Sequence, residues 1–528
     1  MARLHEYQGK ALLAQHGIAI PDGQVVHSVG EARALFETLQ LPVVIKAQAW
    51  VTGRLSRGLV AFAATLEEAI DSVDSMLSKT VSNFPVTSVL IEHKLNISHE
   101  YFASIIINDA VKQPELLFAS IGGSGIEEIA AKHPKAVSRF PINLTEGLRE
   151  YHARNLLRRT GVTGIQQRQV ASSLVRLWQT ARKYEARSLE VNPLVVTEDG
   201  RCIAADCRIT IDDYAVYRHK ELGIEVAREF DHPPTPLEKI AYAVEEHDYR
   251  GTFYFIQLEQ STGAGNHGVG FHGAGGGGSM MSMDAVRNRG FIPANFTDTS
   301  GNPPASKVYR AARIILSQPQ LVGYFGSGSG VASQEQVNSA RGLVKAFREV
   351  APLIPAVIRL GGNMEDEAVR ILTEQTADLP GIVEAYKKDD SVDFCAERFA
   401  SLVEQNTAGA VPANTEYTAK NILDSAREPY EFTTVTGRVY FDHAQCRDCS
   451  NTVCISACSA EILKIESGIP LLAIDQETAA KGRCTECLAC ELACWFSGNR
   501  GVTVDLPIPG LAEYQQDNPV EAVDEYSD

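Results

Sequence analysis

No apolar run in this 528-residue chain approaches the ~20 residues that a bilayer-spanning helix requires. The opening Met1-Ala2-Arg3-Leu4-His5-Glu6 lacks the apolar core of a signal peptide, so the expected location is the cytoplasm, with no membrane partner. Positive charge is in deficit: Lys and Arg number 49 against 66 Asp and Glu, a formal net charge of −17. That balance argues against nucleic acid and anionic lipid as main partners. It leaves room for anionic small ligands at local basic groups. Cysteine is scarce outside one stretch, where only Cys202, Cys207 and Cys395 occur, and these read as small buried hydrophobes. Disulfides are not expected in a cytoplasmic chain. With 44% hydrophobic and 22% charged residues the chain can build packed cores, in about three domains of ~150 residues each.

The other eight cysteines form two runs. Cys446, Cys449, Cys454 and Cys458 are spaced C-x2-C-x4-C-x3-C, and Cys484, Cys487, Cys490 and Cys494 are spaced C-x2-C-x2-C-x3-C. Thiolates this close on a tight loop converge on one metal centre, and a fourth three residues later can serve a neighbouring one. C-x2-C pairs also permit two structural zinc sites, but no histidine stands at ligand spacing, and iron–sulfur clusters are the favoured reading. The repeat resembles the bacterial two-cluster ferredoxins. That resemblance implies a crossed ligand set: Cys446, Cys449, Cys454 and Cys494 for one [4Fe–4S] cluster, and Cys484, Cys487, Cys490 and Cys458 for the other. The x4 spacer in the first run, and Ser459 and Trp495 where that family carries proline, depart from the pattern. One cluster is therefore expected to differ in potential or stability.

Elsewhere strands alternate with helices. Val43–Ile45, Val89–Ile91 and Phe102–Ile107 have strand length. Thr65 with Glu68, and Ser28 with Glu31, make capping boxes that open helices. The first of those helices has an apolar face of Leu66, Ala69, Ile70, Val73 and Leu77, and a longer helix carries Val170, Leu174, Leu177, Ala181 and Tyr184. Pro233-Pro234-Thr235-Pro236 marks a boundary. Beyond it, Phe253–Gln257, Val322–Phe325, Ala356–Leu360 and Ile382–Ala385 read as strands of a parallel sheet wrapped by helices. Residues 406–436 read as a linker and 511–528 as an acidic tail.

Several motifs in register resemble the beta subunit of succinyl-CoA synthetase and related ADP-forming acyl-CoA ligases. They are His5-Glu6-Tyr7-Gln8-Gly9-Lys10, Val44-Ile45-Lys46-Ala47-Gln48 with Gly53-Arg54 and Gly58, Leu189-Glu190-Val191-Asn192-Pro193-Leu194 with Asp206, Pro293-Ala294-Asn295-Phe296, and Val357-Ile358-Arg359-Leu360 with Asn363. The fold this implies is α/β and multidomain. Residues 1–230 would form an ATP-grasp domain and 237–405 a flavodoxin-like parallel α/β ligase domain. Residues 437–510 would form a small ferredoxin-like α+β iron–sulfur domain.

Phosphoryl transfer is mostly positioning and charge neutralisation. Lys46 and Arg54 supply fixed positive charge, and Gly53 lets backbone N–H groups approach a phosphate. Asn192 and Asp206 offer the oxygen ligands that Mg²⁺ favours beside phosphate. By resemblance, Leu55, Glu92, Leu95 and Glu100 complete the ATP site, and Glu190 orients a phosphohistidine on an alpha-type partner subunit that binds CoA. His272-Gly273-Ala274-Gly275 superficially resembles a phosphohistidine loop, but it sits in register with a beta-subunit loop that contacts the acyl substrate. The glycine-rich segment Gly326–Ser333, with Ser329, Gly330, Val331 and Ala332, is expected to hold the carboxylate substrate at a helix start. The loop Phe271–Met283 is richer in glycine than the succinate type and lacks the asparagine expected there, which counts against succinate. The implied reaction joins a small carboxylic acid to CoA at the expense of ATP, with the clusters linking it to electron transfer and a redox partner. Two alternatives stay open: an electron-transfer subunit on a ligase scaffold, and a ligase whose clusters are structural or oxygen-sensing.

Overall fold

The computed structural model describes residues 2–122, 126–228, 230, 232–248, 252–258, 268–328, 335–407 and 428–519. The chain divides into two compact units, Met1–Pro234 and Thr235–Asp528. The break falls inside the proline cluster, where Thr235 caps a helix whose first residue is Pro236. A proline there loses only an N–H that a first turn leaves unpaired anyway.

In the first unit, strand β1 (Ala2–Arg3) leads into helix α1 (Glu6–Gln15). A four-stranded antiparallel sheet follows, built from β2 (Gly23–Val26), β3 (Val43–Ala47), β4 (Val60–Ala63) and β5 (Val89–His93) in the order β2-β5-β3-β4. Helix α2 (Leu66–Leu77) covers it, capped by Thr65 and Glu68 as the sequence predicts. Its buried face is Ala69, Ile70, Val73 and Met76. Leu66, counted in the apolar face from spacing, is exposed.

The second sheet of this unit has seven strands. Its long members are β6 (Ile97–Asn108), β7 (Gln113–Ala119), β8 (Val137–Pro141) and β9 (Ala186–Thr197), with the short β10 (Cys202–Ala204) and β11 (Arg208–Ile211). The order is β1-β11-β9-β6-β7-β8, with β10 hairpinned onto β9. Helix α3 (Gly164–Lys183) packs on it through Val170, Leu174, Leu177 and Ala181. Each sheet has its own core.

In the second unit, β12 (Tyr254–Gln257), β13 (Gly268–Ala274), β14 (Asn295–Asp298), β15 (Leu321–Gly328), β16 (Ala356–Arg359) and β17 (Val383–Tyr386) form a sheet in the order β12-β14-β13-β15-β16-β17. All pairings along this path are parallel except β12 with β14. Helices α4 (Gly276–Arg287), α5 (Ala305–Ile315) and α6 (Gln336–Val350) pack around it.

The cysteine-rich region is a three-stranded antiparallel sheet of β18 (Pro429–Thr433), β19 (Arg438–Asp442) and β22 (Val502–Asp505). It also holds the hairpin β20 (Leu463–Glu466)–β21 (Ile469–Leu472) and helix α7 (Ala489–Ser497). β18 lies inside the segment read as linker; its alternation of Tyr430 and Phe432 with polar residues is short, and the polar stretch before it hides the pattern. The module shares one buried cluster with the parallel-sheet fold, in which Phe432, Val439, Phe441 and Leu492 join Val308, Leu343 and Phe347. No described helix is long and apolar enough to cross a membrane.

Candidate functional site

Helix α1 places Glu6 and Lys10 one turn apart on its buried face. Strand β3 brings Lys46 to the same point, β5 brings Glu92, and the loop between β10 and β11 brings Asp206. Glu6 Oε1 lies 2.7 Å from Lys10 Nζ and 2.8 Å from Lys46 Nζ, and its Oε2 lies 2.7 Å from an Arg54 amino group. Glu92 meets Lys10 at 2.6 Å and Lys46 at 2.9 Å. Both ammonium groups also donate to the Ala205 carbonyl, at 2.8 and 2.7 Å. The same Arg54 nitrogen donates to Asp206, at 2.9 Å to Oδ1 and 2.8 Å to Oδ2.

Three carboxylates thus face three cations in a region almost closed to water. Burial by itself raises the Glu6 carboxyl, but Lys46, Lys10 and Arg54 outweigh it and hold it well below the usual carboxylate range. Burial depresses Lys46, and Glu6 and Glu92 outweigh that and raise it. Glu6 and Lys46 are therefore both charged at neutral pH.

Asn192 sits in β9 at a break in the pairing with β6 between Val191 and Leu194. The Ala205 N–H donates to the Pro193 carbonyl at 3.1 Å, so the Asp206 loop closes against the Asn192 turn. Among the described residues no group of three or more His, Cys, Asp or Glu side chains could hold a metal ion. An Asn–Asp pair fits Mg²⁺ only as a partial ligand set, with phosphate oxygens and water supplying the rest. Glu190 is half-buried on β9, opposite Ser104 of β6 and Arg208 of β11. Gly53 has φ +65°, a conformation open to glycine at little cost. Leu55 and Glu100 are exposed and Leu95 is half-buried.

Glu92 is expected in the ATP site by resemblance. Its carboxylate is buried in the ion network, bound through both oxygens by Lys10 and Lys46. Spacing alone does not single out Glu6 and Lys10 as members of the site. The charges at i and i+4 in His5-Glu6-Tyr7-Gln8-Gly9-Lys10 are the available signal, since one helix turn puts both on one face.

In the second unit, His272 on β13 is buried between Tyr324 and Thr299, one ring nitrogen engaging each hydroxyl. Burial lowers its pKa to about 4. Both ring nitrogens are thus engaged by hydroxyl groups inside the fold. Gly273 next to it allows α4 to sit close, since a Cβ there would lie 2.2 Å from Ser279 Oγ. Asn295 is a staple: its amide donates to the Phe271 carbonyl and Thr297 Oγ1, both at 2.7 Å, and its oxygen accepts from Gln318 at 2.8 Å. Arg359 donates to the Gly328 carbonyl at 3.1 Å and to the Asp390 and Lys388 carbonyls at 2.7 Å, and so fixes the start of the glycine-rich loop. Ser329, Gly330, Val331 and Ala332 lie outside the described residues.

The eight module cysteines gather into two sets. Burial raises the Cys446 thiol to about 12, and its neighbours Cys494, Cys454 and Cys449 push the same way. Burial likewise raises Cys490 well above the ordinary range, with Cys487, Cys484 and Cys458 beside it. Cys458, Cys484, Cys487 and Cys490 line one apolar-walled void together with Leu463 and Leu488. Burial also raises Cys494, against hydrogen bonds from the backbone of Gly501, Val502 and Arg500. A Cβ on Gly501 would lie 3.0 Å from Cys446 Sγ, and one on Gly498 3.3 Å from Cys494 Sγ. Cys446, Cys454 and Cys494 are buried and the other five half-buried, and backbone N–H groups aim at the Cys494 sulfur. Thiols grouped in fours suit thiolate ligation of a cluster, and coordination deprotonates a thiol outright.

A family model for the ATP-grasp domain matches residues 3–196. The beta subunit of the GDP-forming succinate–CoA ligase of Thermus thermophilus is 35% identical over 370 residues, 70% of this chain and 93% of the relative. The second beta subunit of the ADP-forming succinate–CoA ligase of Archaeoglobus fulgidus is 34% identical over 406 residues, 76% of this chain and all of the relative. Among solved structures, ATP citrate lyase from Methanothrix soehngenii, in complex with citrate and coenzyme A, shares the fold at a TM-score of 0.58 and 19% identity. It covers 76% of this chain, which spans 99% of that one. The likeness takes in the N-terminal ~70% and leaves the cysteine module outside. Over that length, the protein is a member of the succinate–CoA ligase beta-subunit family.

Proposed function

We propose that the protein is the beta-type subunit of an ADP-forming acid–CoA ligase that carries two [4Fe–4S] clusters. The observation that supports the ligase reading best is the meeting of Arg54 with Asp206 beside Asn192, with Lys46 bound to the neighbouring Ala205 carbonyl and sharing Glu6 with Arg54. Lys46 and Arg54 would neutralise the phosphates, and Asn192 and Asp206 would hold Mg²⁺, which supplies further charge neutralisation for phosphoryl transfer. Glu190 would orient a histidine of an alpha-type partner. The phosphoryl group would pass from ATP to that histidine and on to the carboxylate, and the CoA thiol would displace phosphate from the acyl phosphate. The acid is small; the glycine-rich Phe271–Met283 loop favours one other than succinate.

Cys446, Cys449, Cys454 and Cys494 would hold one cluster, and Cys458, Cys484, Cys487 and Cys490 the other. Bound there, the clusters would supply one-electron carriers. Helix α6 has 15 residues and is roughly 22 Å long. The glycine-rich loop precedes its start, and the cysteine module packs on its last turns.

The test is to isolate the chain anaerobically with its partner and add ATP labelled at the γ-phosphate with Mg²⁺. Acid-labile label on a partner histidine, discharged by CoA and the acid, supports the ligase reading. No label on an intact, cluster-loaded complex would sink it and leave the electron-transfer reading. Reversible reduction of the clusters, followed by electron paramagnetic resonance, separates redox-active from purely structural ones.

A further inference from the structure

Arg54 is gripped by two carboxylates of unlike freedom. Glu6 Oε2 lies 2.7 Å from its amino group and Asp206 Oδ2 2.8 Å, yet the Glu6 side chain is 3% exposed and the Asp206 side chain 34%. Glu6 is locked. It also bridges Lys10 and Lys46 at 2.7 and 2.8 Å, and its departure would leave those two ammonium groups on Glu92 and Arg54 on Asp206 alone. Among the described residues, the Asp206 carboxylate is held by Arg54 and by the Cys207 N–H at 2.7 Å. The Asp206 oxygens that face the guanidinium are the ones a cation would take, and the Arg54 protons that face Asp206 are the ones a phosphate would take.

We propose that the Arg54–Asp206 pair is a latch over the phosphate site, released by the metal, with Glu6 the positioning residue that keeps Arg54 in place when Asp206 leaves. The proposal rests on the ATP-site reading above. A divalent cation that draws Asp206 away frees Arg54 for a phosphate oxygen. A phosphate arriving without metal must displace Asp206 and then face its charge. Metal and nucleotide thereby favour each other's binding, a linkage of the usual reciprocal kind. Glu6 keeps Arg54 from swinging to solvent during the exchange and holds Lys46 at the same point.

Calorimetry of ATP binding to the full, cluster-loaded chain tests the latch, in chelator and in excess Mg²⁺. In Asp206→Asn, Arg54 is freed without metal, so metal-free ATP should bind about tenfold tighter than to the native chain, within the range typical of coupled sites. That gain should vanish when Asp206→Asn is combined with Arg54→Met, because the latch acts through the guanidinium. Glu6→Gln with the Asp206 change should lose the gain too, and Glu6→Asp should restore part of it. Asp206→Ser repeats the test should the asparagine variant fold poorly. A gain of equal size in the Arg54→Met background would mean plain charge repulsion and overturn the latch, as would no gain in either Asp206 variant. If the native chain binds no nucleotide even with Mg²⁺, the ATP-site reading itself fails and the latch with it. Binding with Mg²⁺ but without the Arg54-dependent gain refutes the latch alone.

Discussion

Lys345 Nζ lies 2.7 Å from Glu491 Oε1, and this buried pair ties the parallel-sheet fold to the cysteine module. Lys345 is on α6; Glu491 follows Cys490 on α7. Three residues further along α6, the Arg348 guanidinium stands 5.3 Å from the Trp495 ring and 5.0 Å from the Phe496 ring. Arg310 of α5 adds bonds to the Thr436 and Pro507 carbonyls, at 2.9 and 3.1 Å. Two of these contacts, at Glu491 and Trp495, fall on the immediate neighbours of Cys490 and Cys494.

Removing Lys345 leaves Glu491 without its cation, while Glu349, 2.8 Å from the same ammonium, keeps Arg313 and the Tyr309 hydroxyl. Loss of one partner of a buried pair costs about 3–5 kcal/mol. Lys345→Ala should lower the thermal unfolding midpoint of the second unit and expose the module to limited proteolysis. Lys345→Met, which fills the space, should cost as much in charge and less in packing. An unchanged midpoint in both would show that the pair does not anchor the module.

The crossed cysteine sets predict matched phenotypes. Cys446→Ser and Cys494→Ser, 48 positions apart in sequence, should alter the same cluster signal in electron paramagnetic resonance. Cys458→Ser and Cys484→Ser should alter the other. Each change should remove about half of the iron. Cys494→Ser that instead shares its spectrum with Cys484→Ser would point to uncrossed, run-by-run ligation.

His272 should give the second unit an acid-sensitive stability. Burial lowers its folded pKa to about 4 from 6.5, so the unfolded chain takes up the proton first as pH falls. The stabilisation is complete above pH ~6.5 and is lost progressively down to pH ~4, a change of a few kcal/mol. His272→Gln should flatten that slope in urea-unfolding midpoints measured across the same window. A slope unchanged by the substitution would assign the acid sensitivity to other groups.

Gly342 marks the crossing of α5 and α6. A Cβ there would lie 2.5 Å from the Ala305 carbonyl oxygen and 2.9 Å from the Tyr309 nitrogen, both backbone atoms that cannot swing aside. Gly342→Ala should destabilise by roughly 1–3 kcal/mol, although alanine is the better helix former. A thermal midpoint at or above the native one would contradict the close approach.

Much of the local structure is legible in the chain. The caps at Thr65 and Ser28 open helices as read, each hydroxyl accepting the N–H of the glutamate three residues on. Apolar runs such as Val43–Ile45 form strands with slightly wider limits. β18 is not legible, because pairing with β19, rather than its own composition, makes it a strand.

What the sequence determined by itself rests on short spacing. That covers the two four-cysteine runs, the helix starts, and the place of Lys46, Arg54, Asn192 and Asp206 within motifs, because neighbours a few residues apart meet in any regular backbone. Only the tertiary structure decided that Glu6 and Lys10, at the start of the chain, meet Lys46, Glu92 and Asp206 in one ion group. It also decided that His272 is closed off between Tyr324 and Thr299, and that α6 carries the module. These contacts join elements far apart in the chain, and charge pairing in a space without water selects which partners meet.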